Sequence, residues 1–359
     1  MVAKRGVYSA IGLDLGSSRV KAVQVVGRPS SWSLHRVADF SRPVLERSGS
    51  GAIGGSEVID PREVVAIGGV LGRMGFVGDR FAVSMPVGDT VQTVLSLPST
   101  SDEGRLVKLA SVELARLCRS EPGDLEAAAW PVGVGGGGRR EGGVMAVACR
   151  RVEAEALVRS FERAGRELVA IDVAGGALAR GACALSDRPA LLVDLGHESA
   201  RVVALSEGMP AYQRTLSELS IGSLHRRAAE RFGLTGAGFD ALMGGADGDG
   251  GGSLSGSAAS AAGAVVEEWG EKLMEQVRAS EHYASDALGV DASGRSLVCG
   301  GGSALRGVVG VLRERFGFAW GEAQLGGVGG EGLGRGLSAG ALVQALGLAV
   351  RFDGLGGVS

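Results

Sequence analysis

The sequence predicts an α/β fold of two related lobes, with a small α/β subdomain inserted in the first. Three observations carry this. An apolar run, then Asp-Leu-Gly, a polar turn and an alternating strand, occurs twice, around Asp14 and around Asp194. Later comes a turn of pure glycine, Gly300-Gly301-Gly302, between an apolar run and an amphipathic stretch. Between the two copies, residues 79–165 hold strand and helix patterns of their own. Two copies of one strand–turn–strand unit point to duplicated lobes rather than to a chance string.

Composition narrows the class. A chain of 359 residues with 45% apolar and 21% charged residues is a globular protein of two domains or one bilobed one. A formal charge of −3, with 3 Tyr, 4 Trp and 9 Phe, offers no basic face with stacking aromatics, so nucleic acid is not an expected partner. The four cysteines, Cys118, Cys149, Cys183 and Cys299, lack metal-ligand spacing and sit in apolar runs. They read as buried thiols of a reducing compartment. No run of about 18 apolar residues occurs, and the first strand begins too soon for a signal peptide, so a cytoplasmic location without membrane insertion is expected.

The elements follow in order. Strands at about 19–27 and 32–40 succeed the first turn. Asp60-Pro61 starts a helix that stops at Gly75, with Asp60 as N-cap and Pro61 at the first position. Strands Arg80–Val87 and Thr90–Leu97 precede a helix opened by Ser101-Asp102-Glu103, with Leu106, Leu109, Ala110, Leu114, Leu117 and Cys118 on one face. Strands at about 126–132 and 144–149 flank the tract Gly133–Gly143, and a helix runs from Val152 to Ala164. Gly133–Gly138 matches G-x-G-x-x-G, but it links two strands and opens no helix, so it is not a dinucleotide site.

After the second acid turn, a helix runs from Ile221 to Phe232 and a short helical segment covers Phe239–Met243. The Gly/Ser/Ala/Asp tract 244–263 reads as a loop before a long helix at about Ala264–Leu288. Strand Ser296–Cys299 leads into the glycine turn and a helix at about Leu305–Phe316. A Gly-rich loop at 326–336 precedes a last helix at about 338–351.

The candidate site is assembled from the three turns. Asp14, Gly16, Ser17, Ser18 and Lys21 combine a carboxylate, backbone N–H groups, two hydroxyls and a cation. Such a set suits a metal-bound phosphate, while a plain polar hairpin is the alternative. The chain has four Lys against 33 Arg, so a Lys at 21 stands out; a compact ammonium fits beside phosphate where a planar guanidinium does not. Asp194, Gly196 and Ser199 repeat the pattern, and Gly300, Gly301, Gly302 and Ser303 let backbone approach a ligand at a helix start. No G-x-x-x-x-G-K-[ST] occurs, which excludes a P-loop.

The order of these turns resembles the phosphate-1, phosphate-2 and adenosine motifs of the actin-like ATPase superfamily, with its two RNase H-like lobes. Within it the chain resembles the PilM family of type IV pilus assembly proteins, relatives of FtsA. The likeness rests on Gly12–Lys21, on Leu95-Ser96-Leu97-Pro98 with the helix 101–119, and on Phe161–Gly165 with Val169–Asp172. It extends through Val193–Ser199, Ile221-Gly222, Cys299–Gly307 and Ala345–Arg351. The sequence departs from that family at His197, Ala200 and Arg306, and at Phe239 and Met243, which stand where an acid and a Lys are usual.

The resemblance implies a first lobe of residues 1–78 and 166–188, an inserted subdomain of 79–165, and a second lobe of 189–351. It implies ATP with Mg²⁺, the metal held by Asp14 and Asp194 and the phosphates by Gly16, Ser17, Ser18, Lys21, Gly196 and Ser199. Gly300–Ser303 would lie along the adenosine. No general base is identifiable, so the activity implied is at most a slow ATPase. The implied partner is the N-terminal cytoplasmic tail of a bitopic PilN-like membrane protein, bound beside the inserted subdomain; self-association is also compatible. The protein would then sit peripherally at the inner membrane. Three alternatives stay open: a small-molecule kinase of the same superfold, an FtsA-like filament protein, and a nucleotide-free secretion adaptor.

Overall fold

The computed structural model describes residues 7–28, 31–43, 59–98, 100–132, 143–186, 189–243, 256–291, 294–316, 320–322 and 338–351. The chain divides into two compact units. One is Met1–Gly181 with Gly326–Leu333 and Gln344–Ser359; the other is Ala182–Leu325 with Gly334–Val343.

The first unit opens with β1 (Ile11–Leu15), β2 (Arg19–Arg28) and β3 (Ser31–Ser41), an antiparallel meander. Helix α1 (Pro61–Arg73) starts where Asp60 accepts a hydrogen bond from Arg62 N, and it buries Val64, Ile67 and Leu71 at helical spacing. Then come β4 (Arg80–Ser84), β5 (Thr90–Ser96), α2 (Glu103–Cys118), β6 (Leu125–Val132), β7 (Gly143–Arg150), α3 (Arg151–Arg163), β8 (Glu167–Asp172) and α4 (Ala174–Leu185), within which the division between the units falls. The main sheet has the order β3-β2-β1-β4-β8, in which β1 pairs antiparallel with β2 and parallel with β4. Its core gathers Ile11, Leu13, Val20, Ile67, Leu71, Phe81, Leu157 and Phe161.

A second, three-stranded sheet of order β5-β7-β6 is antiparallel throughout and packs against α2. Its core is separate, built on Leu97, Leu106, Ala110, Leu114, Leu125, Val144 and Ala146. The insertion expected at 79–165 is narrower in the structure. β4 pairs in parallel with both β1 and β8, and α3 contributes Leu157 and Phe161 to the main core. The part with a core of its own therefore lies between β4 and α3. Leu117, expected on the packed face of α2, is 60% exposed. The buried stripe runs 106–110–114 in steps of four and so leads past Leu117 toward Cys118.

The second unit repeats the first. It holds β9 (Leu191–Leu195), β10 (Ala200–Ser206), β11 (Met209–Leu216), α5 (Ile221–Phe232), α6 (Gly236–Met243), α7 (Gly256–Leu288), β12 (Ser296–Cys299), α8 (Arg306–Phe316) and β13 (Trp320–Glu322). Its sheet order, β11-β10-β9-β12-β13, has the same sequence of antiparallel and parallel pairings as the first sheet. Trp269 of α7, Phe239 of α6 and Leu312 of α8 are fully buried.

α7 begins earlier than expected, at Gly256, inside the tract predicted as a loop. The Ala-rich run after Gly256 has high helix propensity, which outweighs the scattered Gly and Ser. The rest of that tract, 244–255, lies outside the described residues, as do Gly133–Gly142 and 326–336. The four thiols are free, but they are not all buried: Cys299 is, Cys118 and Cys149 are half-buried, and Cys183 is exposed. Burial pushes the Cys149 thiol up from its ordinary 9.0 to about 11. Among the described residues no helix is long and apolar enough to cross a membrane.

The last helix, α9 (Val343–Ala349), packs into the first unit through small residues. A methyl on Gly347 would overlap the Ala177 carbonyl oxygen of α4, and one on Gly12 would overlap that of Ala345. Backbones this close exclude any side chain. Gly347→Ala is expected to lower stability by about 2–4 kcal/mol in thermal or denaturant unfolding. Gly310→Ala, on α8 with nothing within 4 Å of the added methyl among the described residues, is expected to raise it by about 0.5–1 kcal/mol.

Candidate functional site

Each unit carries one acid hairpin, and the two are built alike. In the first, β1 delivers Asp14, and the turn of Gly16 with the exposed Ser17 and Ser18 returns the chain along β2. The antiparallel register sets Asp14 opposite Lys21. Lys21 Nζ donates to Asp14 Oδ2 at 3.0 Å, with both side chains largely buried. Gln344 Nε2 donates to Asp14 Oδ1 at 3.0 Å and to Ser84 Oγ at 2.8 Å. The turn is braced from below. Arg42 Nη1 donates to Gly16 O at 3.2 Å, while Arg42 Nε meets Glu63 Oε1 at 2.5 Å.

In the second unit β9 delivers Asp194, and the register sets it opposite Arg201. Arg201 Nε donates to Asp194 Oδ2 at 2.7 Å, and Nη2 reaches the same oxygen. The side chains are 4% and 11% exposed. Gly16 and Gly196 hold the same place in their turns. A methyl on Gly16 would sit 2.8 Å from Arg19 O, and one on Gly196 would sit 2.5 Å from Ser199 O. The Gly196 N–H is used inside the turn, donating to Ser199 O at 3.1 Å. Helix α5 is pinned beneath: the N–H groups of Ile221 and Gly222 donate to Gly196 O and His197 O, each at 2.9 Å.

The four residues of the third turn have different surroundings. Gly300 has φ +82°, and a methyl there would overlap Asp194 Oδ1. Gly302 is packed on Ile221 and Leu195. Ser303 Oγ donates to Gly300 O at 2.7 Å and lies 3.2 Å from Ser338 Oγ. Gly301 is the open position, with nothing within 4 Å of an added methyl among the described residues. Three of these residues thus serve the turn's own packing, and Gly301, half-buried, is the one with room beside it among the described residues.

Phe239 and Met243 point inward, 0% and 6% exposed, and so are core residues. Beside them runs a polar row in which His197 was singled out by the sequence, and His225 and Asp240 were not. His197 lies against His225 at 5.8 Å between ring centroids with the rings tilted by 57°, and His225 Nε2 lies 2.7 Å from Asp240 Oδ1.

The donor set decides how well Mg²⁺ fits. Mg²⁺ takes oxygen ligands in near-octahedral geometry and keeps several waters. Asp194 meets Arg201 on one oxygen, and its other oxygen lies where a methyl on Gly300 would overlap it. Asp14 has one oxygen on Lys21 and one on Gln344. No group of three or more His, Cys, Asp or Glu is placed to hold a metal among the described residues. In this structure Asp14 and Asp194, the two acids expected to hold a metal, are each the counter-ion of a cation on their own hairpin.

Arg201 was legible in principle, because it stands seven residues after Asp194 as Lys21 does after Asp14. Gln344, Arg42 and Glu63 carry no such local signal. Arg42→Ala would leave the largely buried Glu63 carboxylate without its guanidinium. It is expected to cost about 1–3 kcal/mol in unfolding experiments and to speed amide exchange at Ser17 and Ser18.

No protein-family model matches the chain, and no curated protein does. Solved structures do. A chain of the PilM-PilN type IV pilus biogenesis complex aligns with TM-score 0.71 and 20% identity, over 96% of this chain and 98% of that one. The ethanolamine utilization protein EutJ from Carboxydothermus hydrogenoformans aligns with TM-score 0.52 and 15% identity, over 96% and 89%. With the duplicated sheets, these likenesses make the fold that of the actin-like ATPases.

Proposed function

We propose that this chain is an ATP-binding, actin-like scaffold of a type IV pilus or related secretion platform at the inner membrane. One observation carries the reading: the likeness to a chain of the PilM-PilN complex runs over nearly the whole length of both chains. It therefore takes in the small three-stranded sheet as well as the two lobes.

The nucleotide half of the reading draws on the turns. Lys21 and the exposed Ser17 and Ser18 would meet phosphate oxygens, with Gly16 keeping the backbone low enough for them to approach. Ser199 beside Gly196 would do the same in the second hairpin, and Gly301 would lie along the nucleoside. Mg²⁺, where present, would be held by the nucleotide's own phosphates, without drawing on a protein carboxylate. Isothermal titration with ATP tests this. Heat is expected with the wild type, and Lys21→Gln is expected to weaken binding about tenfold or more, the scale of one charged hydrogen bond.

The partner half draws on the subdomain of β5, α2, β6 and β7. It has its own core, which the nucleotide fold does not need, and it leaves Val91 and Leu117 exposed at 42% and 60%. We assign it the cytoplasmic N-terminal tail of a PilN-like bitopic protein, through which the chain would be held at the membrane. A peptide of that tail is expected to bind the full chain; binding of the partner that survives deletion of its tail would overturn the assignment.

One observation favours a second reading, a nucleotide-free adaptor. Both hairpin acids are already neutralised within the protein. Absence of heat with ATP, with and without Mg²⁺, would select it.

A further inference from the structure

The two hairpins match in register and differ in the cation they place against the acid: an ammonium at Lys21, a guanidinium at Arg201. The guanidinium changes what the second hairpin can accept. A carboxylate at a phosphate turn repels the ligand unless a cation stands between them, and a divalent metal with its water shell is the usual such cation. That arrangement needs a carboxylate open to water. Asp194 is 4% exposed. Its Oδ2 takes both Nε and Nη2 of Arg201. Its Oδ1 lies so close under Gly300 that even a methyl there would overlap it. So little of the carboxylate is open that it gives a metal-bound water poor access.

Arg201 meets the charge requirement in another way. Its guanidinium carries the charge opposite to the carboxylate's, so the Asp194–Arg201 pair has no net charge. A neutral pair beneath a polar turn leaves the way open to an anion. Glu198, the other acid of that turn, is exposed and screened by solvent.

We propose that Arg201 takes the place of the divalent cation at the second hairpin, so that this chain binds a nucleoside triphosphate as the free anion, without Mg²⁺. The inference rests on the ATP-binding reading above. It makes Arg201 the residue that sets metal dependence, and the neutrality of the 194/201 pair the property that matters.

The test is equilibrium binding of ATP to the full chain, in excess EDTA and in excess Mg²⁺. For the wild type the two dissociation constants are expected to agree within about threefold. Arg201→Gln bares the acid, and its binding in EDTA is expected to fall about tenfold or more and to be restored by Mg²⁺. The double variant Asp194→Asn with Arg201→Gln is neutral again and is expected to bind in EDTA as the wild type does. Circular dichroism checks that each variant is folded; if Arg201→Gln is not, the double variant decides by itself. Wild-type binding that is lost in EDTA and present with Mg²⁺ would overturn the inference and leave the ATP-binding reading standing. Metal dependence of the double variant, or a folded Arg201→Gln that binds like the wild type in EDTA, would overturn the role of Arg201. No binding under either condition would remove the nucleotide reading and this inference with it.

Discussion

A buried carboxylate facing a cation across a two-stranded hairpin is the constraint on which each unit depends. A carboxylate taken out of water without a partner is very costly, so Asp14 and Asp194 must each meet a positive charge. In an antiparallel pair the partner's position is a matter of register, and a slip of one residue turns its side chain to the other face. Lys21 and Arg201 are thus held to one place each, seven residues on from their acids. The turn between must be short and must turn back sharply, which brings in Gly16 and Gly196.

The same demand reaches beyond the hairpins. The second oxygen of Asp14 is met by Gln344, far along the chain, and α9 reaches its position because Gly347 and Gly12 let backbones touch. The second oxygen of Asp194 is covered by Gly300, the first residue of the glycine turn. In both units the acid links its hairpin to a segment that returns from elsewhere in the sequence. It acts as a junction of structure as well as a charge at a site.

The duplication is legible because it is local. Strand, turn and strand lie together in the chain, and hydrophobic alternation, Asp-Leu-Gly and the glycine turn all show without tertiary information. Helix α1 announces its start through Asp60 and Pro61 for the same reason. The small subdomain was legible in kind but not in extent. β4 has the composition of any short strand, and its pairing with β1 and β8 is a choice among sheets that no local pattern records. The start of α7 was missed because glycine and serine signal a loop, while burial of Ala262 rewards a helix.

The sequence by itself determined the two hairpins, the residue types in their turns, the glycine turn and the alternation that makes the chain α/β. Short-range sterics and periodicity are enough for that. Only the tertiary structure decided what each group is free to do. It closed Asp194 between Arg201 and Gly300, tied Ser303 into its own turn, turned Phe239 and Met243 into the core, and joined Gln344 to Asp14. The physical reason is that a polar group's chemistry depends on who satisfies it. Those partners come from segments that sequence distance keeps apart and folding brings together.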